Sequence, residues 1–265
     1  MISKRSLTRL YPLLREYYVQ NFSTSSPSTV SIQHLQNVLS KYDEDVIFVH
    51  VGLSDINAAL SGNPYQQLYS VLDSEFESIL TPGFTPSFRE SGVYHKQFSR
   101  PQFGMFPVLF LDDTEYRTDD AIHSVLVSGE YRFDGCDHHT TFSEDGCWGQ
   151  LDRDNILIAN IGTNRLVSTQ YHYISYQTGV PYQTTKTYSG VVVYGDETHE
   201  SVDQVDDTFT GRYSWNRWKM ERYLEGQGVL ERADMNGLKL SLFHARDMRR
   251  AIEPRIADDP YYMVT

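Results

Sequence analysis

The sequence predicts one α/β domain: a mixed central sheet with flanking helices and a helical C-terminal portion. Three observations carry this. Short apolar, β-branched runs recur along the chain. The first two enclose a helical segment, the spacing of a parallel strand–helix–strand unit. No linker interrupts the chain after residue 30, so 31–265 is read as one α/β domain and 1–30 as an N-terminal helix and linker.

The elements follow in order. Leu7, Leu10, Leu13, Leu14 and Tyr17 recur at helical spacing. The polar run from Ser23 to Thr29 then reads as a linker. Ser31 is a cap residue for a short helix carrying Ile32, Leu35 and Leu39. Val46 to Val51 is apolar and β-branched, the pattern of a buried strand. Asn63-Pro64 is a cap followed by proline at the first helical position, and Leu68, Val71, Leu72 and Phe76 fall on one face beyond it. Ile79-Leu80-Thr81 is the next strand, stopped by Pro82-Gly83. Ile156 to Gly162 is another buried strand, and Val191 to Tyr194 is assigned to an antiparallel portion. From Trp215 the pattern turns helical, interrupted at Gly226 and Gly228. A last helix runs from Ala245 to Ile256 and stops near Asp258-Asp259-Pro260.

Composition narrows the function. With 40% hydrophobic and 22% charged residues, the chain of 265 is globular rather than disordered. No apolar run reaches the length of a membrane span. Residues 1–20 lack the uninterrupted apolar core of a secretory signal. Twenty-three basic against 35 acidic side chains give −12. Such a surface repels phosphate backbones, which disfavours nucleic-acid partners, and attracts cations, amines included. The same charge also serves solubility. Cys136 and Cys147 are too few for a disulfide scaffold and read as reduced thiols of a cytoplasmic protein.

Four segments carry chemistry-bearing side chains. His50-Val51-Gly52-Leu53-Ser54 directly follows a strand, where open α/β sheets bind ligands. Its bland reading is an ordinary strand-to-helix turn. The run from Tyr116 to Ser124 brings a guanidinium, two carboxylates, an imidazole and hydroxyls together. Arg117 there suits a phosphate or carboxylate, or else an ion pair with a neighbouring aspartate in a solvated turn. Cys136-Asp137-His138-His139, with Cys147, holds zinc-type donors. The spacing fits no standard finger, and adjacent imidazoles on a strand point apart, so no metal is expected. Ser168-Thr169-Gln170-Tyr171-His172 follows another strand. An imidazole near a cleft accepts a proton from an incoming amine, although a lone histidine is more often structural.

Taken in order, these segments resemble the aminoglycoside 3-N-acetyltransferase-like family. Val49 to Ser54 is similar to its "VHxSL" segment, and Leu80 to Thr85 to its "MPTF" turn. Arg117 to Ser124 is similar to "RSxHPxHS", and Thr169 to His172 to "TxxH". Gly237 to Asp247, with Asp258-Asp259-Pro260, resembles its closing segment. The resemblance spans roughly residues 30–265. It implies acetyl transfer from acetyl-CoA, as cosubstrate, to an amine of an amino sugar, either an aminoglycoside or a polysaccharide precursor. It also implies that His50, Leu53, Ser54, Arg117, Thr118, Ser124 and Thr169 line the acetyl-CoA cleft, and that His172 is the catalytic histidine. Aromatic surface residues are compatible with a homodimer.

Two departures stand out. The family's "HxxE" glutamate is Ser175 here, and serine does not stabilise an imidazolium as a carboxylate does. Asp119, Asp120 and Asp137 are the candidate substitutes, with Asp120 grouped beside His172 and Ser175 as catalytic. The family's "HP" is Asp120-Ala121. Two alternatives follow. One is a catalytically impaired member that binds CoA or a sugar as an accessory protein. The other is a zinc hydrolase built on Cys136, His138, His139 and His172.

Overall fold

Strand β1 (Val46–Val51) lies inside a seven-stranded sheet, and its alternating side chains divide the core in two. Ile47 and Val49 face one layer; Phe48 faces the other. The computed structural model describes Leu14, residues 27–195 and residues 198–265. The expected first helix, Leu7 to Tyr17, lies outside the described residues apart from Leu14.

The first layer is built by α1 (Ile32–Leu39), α2 (Leu53–Ala59) and α3 (Pro64–Glu75). Ser31 Oγ accepts from the His34 amide, and Asn63 Oδ1 accepts from Tyr65 and Gln66, so both caps act as their residue types suggest. Leu35, Leu39, Ile56, Leu68, Val71 and Leu72 bury against the sheet. β2 (Ser78–Pro82) then pairs parallel to β1, Ile47 opposite Ile79. Strand, helix and strand thus form the expected parallel unit.

After β2 come α4 (Phe88–Ser91), β3 (Val93–His95), α5 (Phe106–Phe110), β4 (Tyr116–Arg117) and β5 (Val125–Gly129). Then come α6 (Cys147–Arg153), the sheet strand β6 (Leu157–Ile161) and α7 (Gln170–Thr178), the two helices building the second layer. β6 pairs parallel to β1 on the side opposite β2. Next are the long hairpin β7 (Gln183–Val193) and β8 (His199–Phe209), α8 (Arg217–Gly226), the hairpin β9 (Glu231–Met235) and β10 (Leu238–His244), and α9 (Ala245–Asp258). Trp148, Ile174, Met220, Met248 and Ile252 pack this layer onto Phe48 and Phe243.

The large sheet runs β4-β5-β2-β1-β6-β10-β9, and β3-β7-β8 forms a separate small one. Val191–Val193 is antiparallel to β8 in that small sheet, matching the antiparallel reading of this segment. The C-terminal portion differs from the sequence reading in one respect. Between α8 and α9 the chain makes an antiparallel hairpin that extends the large sheet past β6. Asn236 and Gly237, with φ of 53° and 92°, supply the left-handed turn a two-residue hairpin requires.

Two glycines shape the sheet's C-terminal rim. A Cβ on Gly52 would lie 2.0 Å from Gly162 O. Only glycine allows the chains leaving β1 and β6 to approach this closely.

Candidate active site

A cavity of about 480 Å³ opens at the C-terminal ends of the three parallel strands. His50 and Val51 come from β1, Pro82 and Phe84 from the end of β2, and Thr163 from beyond β6. This is the crevice where open parallel sheets present ligand sites. The connection after β6 supplies the facing wall. Asn160 Oδ1 accepts from the Val167 amide at 2.6 Å, and Glu221 Oε1 accepts from the Leu166 amide at 2.7 Å. That loop sets Ser168, Thr169 and His172 on the cavity.

The ring of His172 is held by aromatics. It stacks on Phe142 at 5.6 Å and 13° and meets Trp215 edge-on at 5.0 Å. Its Nδ1 lies 3.5 Å from Gln183 Nε2. Burial pushes its pKa down to about 3; His123, Arg89 and Arg217 add to this, and the Asp206 carboxylate opposes it weakly. Burial alone does the same to His50, also to about 3, and its Nε2 has no hydrogen-bond partner. Both rings are therefore neutral near pH 7 and offer an unprotonated nitrogen.

A third imidazole, His123, lines the same cavity 6.5 Å from His172. Its Nε2 is 3.2 Å from Asp206 Oδ1, an ion-pair distance without good hydrogen-bond alignment. Asp206 Oδ2 accepts from Arg89 Nε at 2.9 Å and Nη2 at 2.6 Å. Burial alone would raise the Asp206 carboxyl, but His123 and Arg89 beside it hold it well below the usual carboxylate range. Strand β8 places it: Val202, Gln204 and Asp206 alternate on the buried face of the small sheet.

Of the residues taken from the sequence, the structure brings His50, Thr169 and His172 together on this cavity. The others lie elsewhere. Leu53 and Ser54 open α2 and do not line it, and Leu53 packs against the first core layer. Arg117 is buried, and its guanidinium is consumed within the fold. Nη1 donates to the carbonyls of Lys96 (3.0 Å) and Ser99 (2.7 Å), Nη2 to Gly83 (2.6 Å), and Nε to Ser124 Oγ (3.1 Å). It clamps three chain segments with four of its five N–H groups, and it lines a hollow of about 420 Å³ beside Tyr116 and Tyr194, separate from this cavity. Ser124 Oγ donates in turn to Gly83 O, and Thr118 Oγ1 accepts from the Val125 amide, so neither faces the cavity.

The candidate acids are corrected similarly. Asp120 is fully buried, and its Oδ1 accepts from the amides of Ile122 (2.9 Å) and His123 (2.6 Å). Asp119 pairs with Lys96 at 2.8 Å, and Asp137 Oδ1 closes a turn on the His139 and Thr140 amides. Ser175 is buried behind His172, its Oγ 3.4 Å from the Tyr182 hydroxyl, and does not reach the cavity. The zinc-type donors do not gather around His172. Cys136 Sγ donates to Gln150, Cys147 Sγ lies 3.6 Å from His138, and His172 is in the cavity. No group of three or more histidine, cysteine or acidic side chains among the described residues is arranged to hold a metal. Nor is any described helix long and apolar enough to cross a membrane.

Sequence reasoning passed over His123, although it stands in the quoted Arg117–Ser124 motif, and missed Asp206 and Arg89. The one signal was the second histidine of "RSxHPxHS". Nothing local links it to β8. A second hollow of about 350 Å³ lies between β10 and α9, but its Tyr42 and His244 are already paired with Glu231 and Glu44.

A crevice at parallel strand ends, walled by aromatics and lined by imidazoles, has the form of a small-molecule site. Comparison with known proteins makes the class specific. Residues 82–256, well over half of the chain, match the family model described as aminoglycoside 3-N-acetyltransferase. The chain belongs to that family, whose members are N-acetyltransferases with acetyl-CoA as acyl donor. No curated protein is matched at the level of sequence. Solved structures share the fold at low identity. The YokD protein from Bacillus subtilis superposes with a TM-score of 0.70 at 15% identity, covering 89% of this chain and 96% of its own. AAC-IIIb, solved as a binary complex with CoASH, gives 0.68 at 14%, covering 87% and 97%. AAC-VIa, solved with sisomicin bound, gives 0.67 at 15%, covering 86% and 99%.

Proposed function

We propose that the chain transfers the acetyl group of acetyl-CoA directly to an amine of an amino sugar, of the aminoglycoside or polysaccharide-precursor type, within the cavity that His172 lines. The observation that carries this reading is the meeting of His50, Thr169 and His172 on one cavity, from segments far apart in the chain. The names of the structural neighbours, one with CoASH and one with sisomicin, support the same pairing of donor and acceptor.

The chemistry follows from the residues. The amine nitrogen attacks the thioester carbonyl as it loses a proton to the neutral imidazole of His172. Burial makes that imidazolium a strong acid, so the proton passes on readily. As the C–S bond breaks, it moves to the departing thiolate, and the products are amide and free thiol. Phe84, Phe142 and Trp215 exclude water from the reacting groups. Two bound substrates held side by side need no covalent enzyme intermediate. The net charge of −12 favours approach of a cationic acceptor.

Calorimetry with acetyl-CoA, followed by thiol release with a panel of amino sugars, tests the reading. His172→Ala is expected to bind acetyl-CoA while losing about 10²- to 10⁴-fold in turnover. No heat at millimolar acetyl-CoA, or an unchanged rate in His172→Ala, contradicts it.

A further inference from the structure

An amine that arrives as an ammonium gives up two protons on its way to an amide. One leaves before attack, because the ammonium has no lone pair; the other leaves as the N–C bond forms. His172 accounts for one. Among the described residues no hydrogen bond or ion pair joins His172 to a carboxylate, and Ser175, at the position of the family's glutamate, faces Tyr182 instead. A cation resting on His172 is therefore poorly supported.

His123 is built differently. Its ring sits on the same cavity, edge-on to Phe84 at 4.9 Å and beside Phe142 at 5.2 Å. One nitrogen, Nε2, faces the Asp206 carboxylate, and the other, Nδ1, is buried without a partner. Asp206 has no solvent-exposed side-chain surface and is held from behind by both Nε and Nη2 of Arg89. Asp120 fixes the backbone of the turn that carries the ring.

We propose that His123 is a second catalytic imidazole, which receives the acceptor's ammonium group and takes its first proton, and that Asp206, anchored by Arg89, is the positioning residue that stabilises the resulting cation. The proposal rests on the acetyl-transfer reading above. With a carboxylate oxygen 3.2 Å away, Nε2 is the nitrogen electrostatically favoured to carry the hydrogen, even without good alignment, which leaves the lone pair on Nδ1. The ammonium proton moves to Nδ1, and the free amine attacks the thioester carbon. His172 takes the second proton and delivers it to the thiolate as the C–S bond breaks. Ammonium and thioester become amide, thiol and one proton, which His123 returns to solvent. Asp206 stays ionised throughout.

The test uses the best acceptor of the amino-sugar panel and its aminooxy analogue, which is uncharged at pH 7. His123→Gln and Asp206→Asn are expected to lower kcat/KM for the amine about 10²- to 10³-fold at pH 7. The loss is expected to shrink toward pH 10, as free amine accumulates, and to be small for the aminooxy acceptor. His172→Ala is expected to impair both acceptors. The charged and titratable groups facing His123 are Asp206, Arg89, Asp120 and His172, so the pH profiles are recorded with the His172→Ala variant alongside. Equal losses for both acceptors overturn the proposal. Nitrogen-15 NMR of the unsubstituted protein is an independent arm, since Asp206→Asn leaves Arg89 without its buried partner. In its neutral form His123 is expected to carry its hydrogen on Nε2, and a neutral ring with the hydrogen on Nδ1 overturns the assignment. Absence of acetyl-CoA binding instead defeats the acetyl-transfer reading itself.

Discussion

Arg117 offers the sharpest test of how this structure reassigns a motif. The family pattern implies a cleft residue, whereas the structure makes it a clamp. Arg117→Met keeps most of the side-chain volume and removes the charge and all donors. The backbone carbonyls of Lys96 and Ser99 then lose their side-chain partner, while that of Gly83 keeps Ser124 Oγ. Each orphaned acceptor costs about 1–3 kcal/mol. Relaxation and removal of a desolvated cation offset part of this; burial already pulls the Arg117 pKa down. A net loss of about 3–5 kcal/mol is expected, near the top of the range for one substitution. In a domain of this size that lowers Tm by on the order of 10 °C. Urea unfolding and calorimetry with acetyl-CoA, run on the same folded preparation, separate the two roles. The clamp predicts reduced stability with unchanged acetyl-CoA affinity. Stability within about 0.5 kcal/mol of the parent, with affinity weakened about tenfold, would refute the reasoning and restore Arg117 as a ligand-binding residue.

Three further outcomes follow from the geometry. Gly52→Ala places a methyl 2.0 Å from Gly162 O, so the ends of β1 and β6 must part; a loss of about 1–3 kcal/mol or more in urea unfolding is expected, together with weakened acetyl-CoA binding. His50 is depressed to about 3 in the fold, against about 6.5 unfolded. Between those values the unfolded chain binds more protons, so its contribution is complete above pH 6.5 and is lost as pH falls toward 3. His50→Gln should accordingly flatten the rise of stability with pH between 4 and 6 by up to about 1.4 kcal/mol per pH unit, read from urea midpoints. Ser175→Glu forces a carboxylate against Tyr182 rather than into the cavity. It should destabilise the chain by about 1–3 kcal/mol and raise turnover little, and a large gain in thiol release would count against the role given to Asp206.

Much of the fold is legible in the sequence where local signals are strong. β1, β2 and β6 are short apolar runs, and α1 and α3 announce themselves with a serine and an Asn-Pro cap. β10 has a signal of its own. Leu238, Leu240 and Leu242 alternate directly after Asn236-Gly237, a hairpin signal hidden by the helical pattern on either side. β8 is harder, because its buried face carries Gln204 and Asp206, and apolar alternation fails where polar side chains are satisfied inside. The site divides in the same way. His172 and His50 follow strands directly, and short-range logic locates them. Arg117 looks identical in sequence whether it grips a phosphate or three carbonyls. His123 and Asp206 meet only because the small sheet folds over the turn that carries the imidazole.

The central claim is that the donor thioester and the acceptor amine meet beside His172 at the ends of β1, β2 and β6. A crystal structure of the chain with CoA bound tests it most directly. The account places the thiol sulfur in the cavity bordered by His50, His123 and His172. A thiol lodged anywhere else, such as the hollow between β10 and α9, would contradict it.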